Sequence, residues 1–387
     1  MSVTAARGFR AAGVAAGIKP HGAPDLSLVV ADGPVPAAAV FTVNTAAAAP
    51  VHLSRRHMAV APTCRAVILN SGCANAATGS KGDASSLATA AAVAEGIDAD
   101  VTDVLVCSTG TIGSHLPLDE VISGVAHAID LLAVTPAAGA AAARGIMTTD
   151  TVAKEAVATG AGFVVGGMAK GAGMIRPDMA TMLAVITTDA VADSPTLDTV
   201  LRAAVDASFH ALNIDGCPST NDTVILLASG ASAVTAGVDR LGPLVADVCR
   251  SLAEQMAADA EGASRVIVMN VSGAQDDATA RRAGRLIADS ALVRAAFYGG
   301  DPNWGRLVGA LGATDIDFVM HDIQIAFEGV VVAAGGVAAE HNAADLLAVL
   351  EKGGFTVDIR IGHGPGSARV LTNDLTPDYA RLNGERS

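Results

Sequence analysis

Short β-branched runs that give way at once to glycine-rich polar islands recur along this chain, and that alternation constrains its fold more than any other feature. Strands are expected at 66–69, 104–107, 182–188, 223–228, 266–271, 323–327 and 356–361. Between them the apolar period lengthens to that of a helix. In 241–256, Leu241, Leu244, Val245, Val248, Leu252 and Met256 form one stripe, while Asp247, Arg250 and Glu254 face away. Stretches 84–94, 118–132, 194–210 and 278–296 also read as helices. Strands alternating with helices give the α/β class with mixed sheets.

Composition supports a packed chain. Of 387 residues, 51% are hydrophobic and 17% charged, which argues against disorder. Aromatic residues are 3%, so aliphatic side chains must form the core. The length suits two or three domains or one large one, but no linker stands out; the Ala-rich stretch 135–143 is the nearest candidate for a surface connection. Asp plus Glu number 39 against 25 Lys plus Arg, a net charge of −14 that disfavours nucleic-acid binding.

Mean hydropathy is +0.44, so membrane spans need checking. The uncharged stretch 33–54 holds Pro34, Pro36, Asn44 and Pro50, which suits a turn-broken strand pair better than a spanning helix. The apolar run 329–339 is too short to span. The N-terminal AAGVAAGI is a poor signal-peptide core, interrupted by Lys19. Five scattered cysteines without a CxxC pair fit a reducing compartment and argue against a zinc site. A soluble, cytoplasmic protein is expected.

No P-loop, HExxH or GxSxG is present, so nucleotide, zinc-protease and common serine-hydrolase chemistry lack support. What remains is the islands: NSGCANA (70–76), CSTGTIG (107–113), MTTD (147–150), GMAKGAGMIRPDMATML (167–183), STNDT (219–223), DAEG (259–262) and GDPNWGR (300–306). Several follow directly on a strand, where open α/β sheets place ligand sites. Small hydroxyl and amide residues beside glycine leave backbone N–H groups bare, as an oxyanion site requires. Taken singly, each island also suits an ordinary turn.

Taken in order, the islands resemble the ornithine acetyltransferase family, the ArgJ type of bifunctional glutamate N-acetyltransferase. KGAGMIRPDMATML (170–183) is similar to that family's self-cleavage region, and the resemblance runs from Gly8 to about Asn383. It implies an αββα sandwich of mixed sheets, cut between Ala180 and Thr181 into an α chain (1–180) and a β chain (181–387). The implied product is an N-terminal nucleophile. A threonine hydroxyl is a weak nucleophile that needs a base. A freed α-amine, with an ordinary pKa of about 7.7–8.0, supplies one on the same residue.

The resemblance further assigns Thr109 and Gly110 to an oxyanion hole, and Thr148, Lys170, Thr181, Glu261 and Asn383 to substrate binding. Lys170 suits a substrate carboxylate and Glu261 an ammonium. Family members commonly end in Asn-x-x-Tyr followed by two hydroxyl residues; here Arg386 replaces the tyrosine and Ser387 is the last residue. Trp304, the single tryptophan, suits a packing anchor at least as well as a catalytic role.

The implied reaction moves acetyl from N2-acetylornithine to glutamate through an acetyl-Thr181 ester, recycling acetyl in arginine synthesis. No metal or redox cofactor is implied, and the expected assembly is a heterotetramer of two α and two β chains. Use of acetyl-CoA as a second donor is left open. Two rivals are an aminopeptidase or amidase of the same fold, which passes the acyl group to water, and a non-catalytic α/β binding protein.

Overall fold

A computed structural model describes residues 2–160, 162–175 and 182–385. Residues 180 and 181, and the C-terminal Arg386 and Ser387, therefore lie outside the described residues. The chain forms two compact units, the first comprising 1–209 and 217–256, the second 210–216 and 257–387.

The first unit carries strands β1 (Phe9–Val14), β2 (Leu26–Phe41), β3 (Thr63–Cys73), β4 (Val104–Thr111), β5 (Lys154–Gly160), β6 (Phe163–Lys170) and β7 (Leu183–Thr188). Its last strand, β9 (Thr223–Ala228), follows a short β8 (Leu212–Asn213) that belongs to the second unit. Its helices are α1 (Ala49–Val60), α2 (Gly79–Ile97), α3 (Leu118–Asp130), α4 (Pro136–Gly145), α5 (Ser194–Ala207) and most of α6 (Val238–Ala258).

The strand order is β4-β3-β2-β9-β7-β6-β5, with β1 on the other edge of β2. The long β2 changes partners along its length. Leu26 to Val30 and, after a break in register, Val35 and Pro36 pair with β3, and Ala37 to Phe41 pair with β9. This lets one sheet fold over on itself. Val29 on β2, Val67 and Leu69 on β3, and Leu105 and Cys107 on β4 meet Met168 of β6, Leu183 and Val185 of β7, and Ile225 and Leu227 of β9 in one core.

The alternate residues Leu28, Val30, Ile68, Val104 and Val106 face outward onto Val93 of α2 and Val121 and Val125 of α3. On the far side, a Cβ placed on Gly167 would strike Val248 and Leu252 of α6. The layers are therefore helix, sheet, sheet, helix: the αββα sandwich lies wholly within the first unit. Each fully buried Leu, Ile or Val contributes roughly 1.5–3 kcal/mol against chain entropy.

The second unit holds β10 (Val266–Ala274), β11 (Gln324–Phe327), β12 (Val330–Ala334), β13 (Val337–Ala338), β14 (Gly354–Arg360) and β15 (Gly366–Asn373). Their order is β13-β12-β11-β14-β10-β15-β8. One face packs on α7 (Asp277–Asp289), α8 (Ala291–Gly299), α9 (Trp304–Gly312) and α10 (Ala343–Leu350). Helix α11 (Pro377–Gly384) ends the described chain. Trp304 packs against this core, which favours the anchor reading.

Three local expectations need correction. The stretch 135–143 is no surface connection but part of α4, whose Gly139, Ala142 and Ala143 are buried. Close approach explains the composition: a Cβ on Gly13 of β1 would lie 2.1 Å from the Ala141 carbonyl oxygen. The stretch 33–54 is not a strand pair, because β2 ends at Phe41 and α1 begins at Ala49. The proposed helix 278–296 divides at Ser290, whose hydroxyl caps α8 by accepting the Val293 N–H. Among the described residues no helix is long and apolar enough to cross a membrane.

Candidate active site

The inward series on β4 runs Leu105, Cys107, Thr109, and on β6 it runs Met168, Lys170. Both series end in a polar side chain at the same end of the sandwich interior. Lys170 is 1% exposed and Thr109 2%. The Lys170 Nζ donates to Thr109 Oγ1 at 3.3 Å. A hydroxyl that accepts from an ammonium keeps its own O–H available to donate, and the neighbouring positive charge polarises it.

Gly110, next in β4, is exposed and has φ +130°. A Cβ there would lie 2.3 Å from the Gly72 carbonyl carbon and 2.6 Å from the Cys73 nitrogen. Only glycine fits without moving β3, whose pairing with β4 shifts register at this point. Thr109 and Gly110 thus offer a buried hydroxyl beside a backbone that no side chain covers.

The islands around this pair form one hydrogen-bonded block. Asn221 Nδ2 donates to the carbonyls of Ala74 (2.6 Å) and Ser108 (2.9 Å). Asn70 Nδ2 donates to the Cys73 carbonyl at 2.8 Å, and its Oδ1 accepts from the Ser108 hydroxyl at 2.6 Å. NSGCANA, CSTGTIG and STNDT are therefore mutually fixed.

Two buried aspartates hold the ends of the connection 171–182. At the first end, Asp150 Oδ1 accepts from Gly171 N at 2.7 Å and from Lys154 Nζ at 2.6 Å. Its Oδ2 accepts from Thr148 N at 3.0 Å, which is how Thr148 is placed. Burial would raise the Asp150 carboxyl, but Lys170 and Lys154, with the Lys154 and Thr148 hydrogen bonds, hold it down at about 2. Lys19 Nζ donates to the Met147 carbonyl at 2.6 Å, binding the MTTD turn from the other side. Burial lowers the Lys19 pKa, against the pull of Asp25.

At the second end, Asp222 Oδ1 accepts from Met182 N at 2.9 Å. Asp222 is fully buried, and burial pushes its carboxyl well above the ordinary range despite Met182, Lys170 and the nearby Ser219 hydroxyl.

The second unit gathers the other two expected residues. Asn383 Nδ2 on α11 donates to Glu261 Oε2 at 3.0 Å and to the Tyr379 carbonyl at 3.1 Å. Gly262 lets α11 approach: its φ is +63°, and a Cβ would lie 2.4 Å from the Tyr379 nitrogen. Burial first, then Asp215, pushes the Tyr379 hydroxyl up to about 12.

The structure therefore brings Thr109, Gly110 and Lys170 together, connects Thr148 to them through Asp150, and separately pairs Glu261 with Asn383. Ala180 and Thr181 lie outside the described residues. Asp150, Lys154, Asn221 and Asp222 were not singled out from the sequence, although three of them sit inside named islands. No signal marked them: neither MTTD nor STNDT contains glycine, and an acidic or amide residue in a short polar run reads the same whether it ends in water or under a sheet. Among the described residues no group of three or more His, Cys, Asp or Glu is placed to hold a metal ion.

Comparison with known proteins supplies the family. The ArgJ family model matches residues 10–387. The arginine biosynthesis bifunctional protein ArgJ of Thermobifida fusca is 46% identical over 388 residues, covering all of both chains. The protein of that name from Streptomyces coelicolor is 46% identical over 389 residues, again covering all of both. Among solved structures, ornithine acetyltransferase from Mycobacterium tuberculosis, complexed with ornithine, matches with 46% identity and a TM-score of 0.42, covering 46% of this chain and 94% of that one. With the family pattern matched from residue 10 to the last residue and relatives this similar along their whole length, the chain belongs to the ArgJ family.

Proposed function

We propose that this chain transfers an acetyl group from N2-acetylornithine to glutamate, giving ornithine and N-acetylglutamate through an acetyl ester on Thr181. One observation carries the reading: in a chain of this family, buried Lys170 meets Thr109 beside Gly110 where the connection 171–182 begins. The enzyme first matures. The Thr181 hydroxyl attacks the Ala180 carbonyl, and water hydrolyses the resulting ester, leaving a carboxylate on Ala180 and a free α-amine on Thr181. The two pieces stay joined, because β6 pairs with β7 from Lys170–Leu183 to Val165–Thr188 across the cut. Two such pairs assemble as a heterotetramer.

In transfer, the Thr181 oxygen attacks the acetyl carbonyl while the α-amine takes its proton. Thr109 and Gly110 stabilise the tetrahedral oxyanion. The bond to the ornithine nitrogen breaks, the proton passes to that nitrogen, and ornithine leaves. The glutamate amine then attacks the ester, and its proton returns to the Thr181 oxygen. Thr148 and Lys170, and in the second unit Glu261 and Asn383, are the proposed substrate contacts.

Intact mass under denaturing conditions tests the cut. Two fragments, the second starting at Thr181 and absent from Thr181→Ala, are expected. A whole chain in active wild-type material overturns the mechanism. Incubation with N2-acetylornithine is expected to add one acetyl group to the 181–387 fragment, removed on adding glutamate. Rapid loss to water without glutamate points to the amidase instead, and the same assay with acetyl-CoA decides whether it is a second donor.

A further inference from the structure

We propose that Lys19 is a positioning residue for Thr148, holding one end of a peptide group whose other end is held by the opposite charge. The inference rests on the proposed role of Thr148 as a substrate contact. Its ground is the single peptide group that joins Met147 to Thr148. The carbonyl of that group accepts from Lys19 Nζ at 2.6 Å, and its N–H donates to Asp150 Oδ2 at 3.0 Å. An ammonium and a carboxylate thus grip the two polar atoms of one rigid plane, each through a charge-assisted bond. Turning the plane would break both bonds, so the direction in which Thr148 leaves the turn is fixed at its own nitrogen.

The surroundings hold Lys19 in that place. Fully buried Asp25 accepts the backbone N–H groups of Ala16, Gly17, Ile18 and Lys19 at 2.6, 3.2, 2.7 and 2.8 Å. That fixes the loop between β1 and β2 from which the Lys19 side chain departs. Gly72 on β3 leaves room for its stem: φ there is +101°, and a Cβ would lie 3.0 Å from Lys19 Cγ. Gly72 is also the residue against which Gly110 packs, so the stem runs past the strand end that supports the expected oxyanion hole. A second bond, from Nζ to the Pro24 carbonyl at 2.8 Å, ties the ammonium to its own loop. Burial lowers the Lys19 pKa and Lys170 adds to the fall, while Asp25 and then Asp150 oppose it. Asp150 is in turn anchored by Lys154 at 2.6 Å. The Thr148 peptide therefore lies between two charges, each fixed by further partners.

Lys19→Met keeps the stem and removes the ammonium. In the cut enzyme the KM for N2-acetylornithine is expected to rise roughly tenfold with kcat within about twofold, the mark of lost binding shared by ground and transition states. Thr148→Ala is expected to raise KM at least as much. In the Thr148→Ala enzyme, adding Lys19→Met is then expected to change KM by less than about twofold, because the clamp has no side chain left to place. Rises that multiply in the double variant overturn the proposal, as does an unchanged KM in Lys19→Met or a loss confined to kcat. A Lys19→Met chain that folds yet stays whole also overturns it, since Lys19 would then serve the cut. If Lys19→Met does not fold, Lys19→Gln, uncharged and with an N–H donor on a shorter arm, carries the same outcomes. Thr148→Ala with a wild-type KM overturns the substrate role of Thr148 itself, whereas a raised KM there beside an unchanged Lys19→Met overturns this inference alone.

Discussion

Asp150 and Asp222 hold opposite ends of the connection 171–182 by the same device, a carboxyl oxygen on a backbone N–H, at 2.7 and 2.9 Å. Both are buried, yet their carboxyls are shifted in opposite directions. Asp150 has the Lys154 ammonium at 2.6 Å and feels Lys170 as well, and it keeps its charge. Asp222 feels Lys170 more weakly than it feels burial, and its carboxyl is pushed well above the ordinary range. Burial sets the direction at Asp222, and at Asp150 two ammonium groups overturn it. The number of ammonium groups within reach decides which way a buried carboxyl is shifted.

The largest effect should come from the paired end. Asp150→Ala takes the carboxylate from the fully buried Lys154, and breaking a buried pair in that way costs about 3–5 kcal/mol. Denaturant unfolding in a Thr181→Ala background, where the chain stays whole, measures it; a loss under about 1 kcal/mol would show that Lys154 finds other partners. Next is the residue that Lys170 holds. Thr109→Val keeps the shape and removes one oxyanion donor, with an expected loss of about 2.7–4 kcal/mol in transition-state binding, or 10²–10³ in kcat. Little change in unfolding is expected, because Thr109 makes one long hydrogen bond. An unchanged kcat would remove Thr109 from the oxyanion hole.

What the sequence made legible follows from which residues advertise their environment. The β-branched run at 223–228 is buried throughout and forms β9 with the expected bounds. Helix α6 displays its stripe over several turns and extends it at both ends. By contrast, β2 carries Gly33, Pro34 and Pro36 in its middle, which suggests a turn-broken strand pair over 33–54, yet the strand runs on through them to Phe41. Helix α4 is alanine and glycine because it lies so close to β1, and small residues have no strong periodic signal. At the site, the island of Thr109 and Gly110 stood out because it follows the run 104–107, whereas Lys170 lay in an island with no expected strand before it. Their assignment, like that of Thr148, Glu261 and Asn383, came from resemblance. Asp150, Lys154 and Asp222 stayed hidden because an acidic or basic residue looks the same in a chain whether it ends in water or under a sheet.

The smallest effect sharpens the comparison most, because the two aspartates should give pH dependences of opposite sign. Asp150 ionises at about 2 in the fold and near 3.9 when unfolded, so between those values the unfolded chain binds more protons. Its stabilisation, about 2–3 kcal/mol, is present above pH 4 and lost as pH falls towards 2. Asp222 is raised in the fold, so above the ordinary aspartate value the folded chain holds a proton that the unfolded chain has released. Stability is therefore lost there as pH rises. Asp222→Asn removes that loss, so the variant should match wild type near pH 3 and become progressively more stable towards neutrality, while Asp150→Asn shows the reverse trend. Thermal midpoints across this range, again in the Thr181→Ala background, decide between them. Parallel curves for the two variants would mean that both carboxyls are charged in the fold.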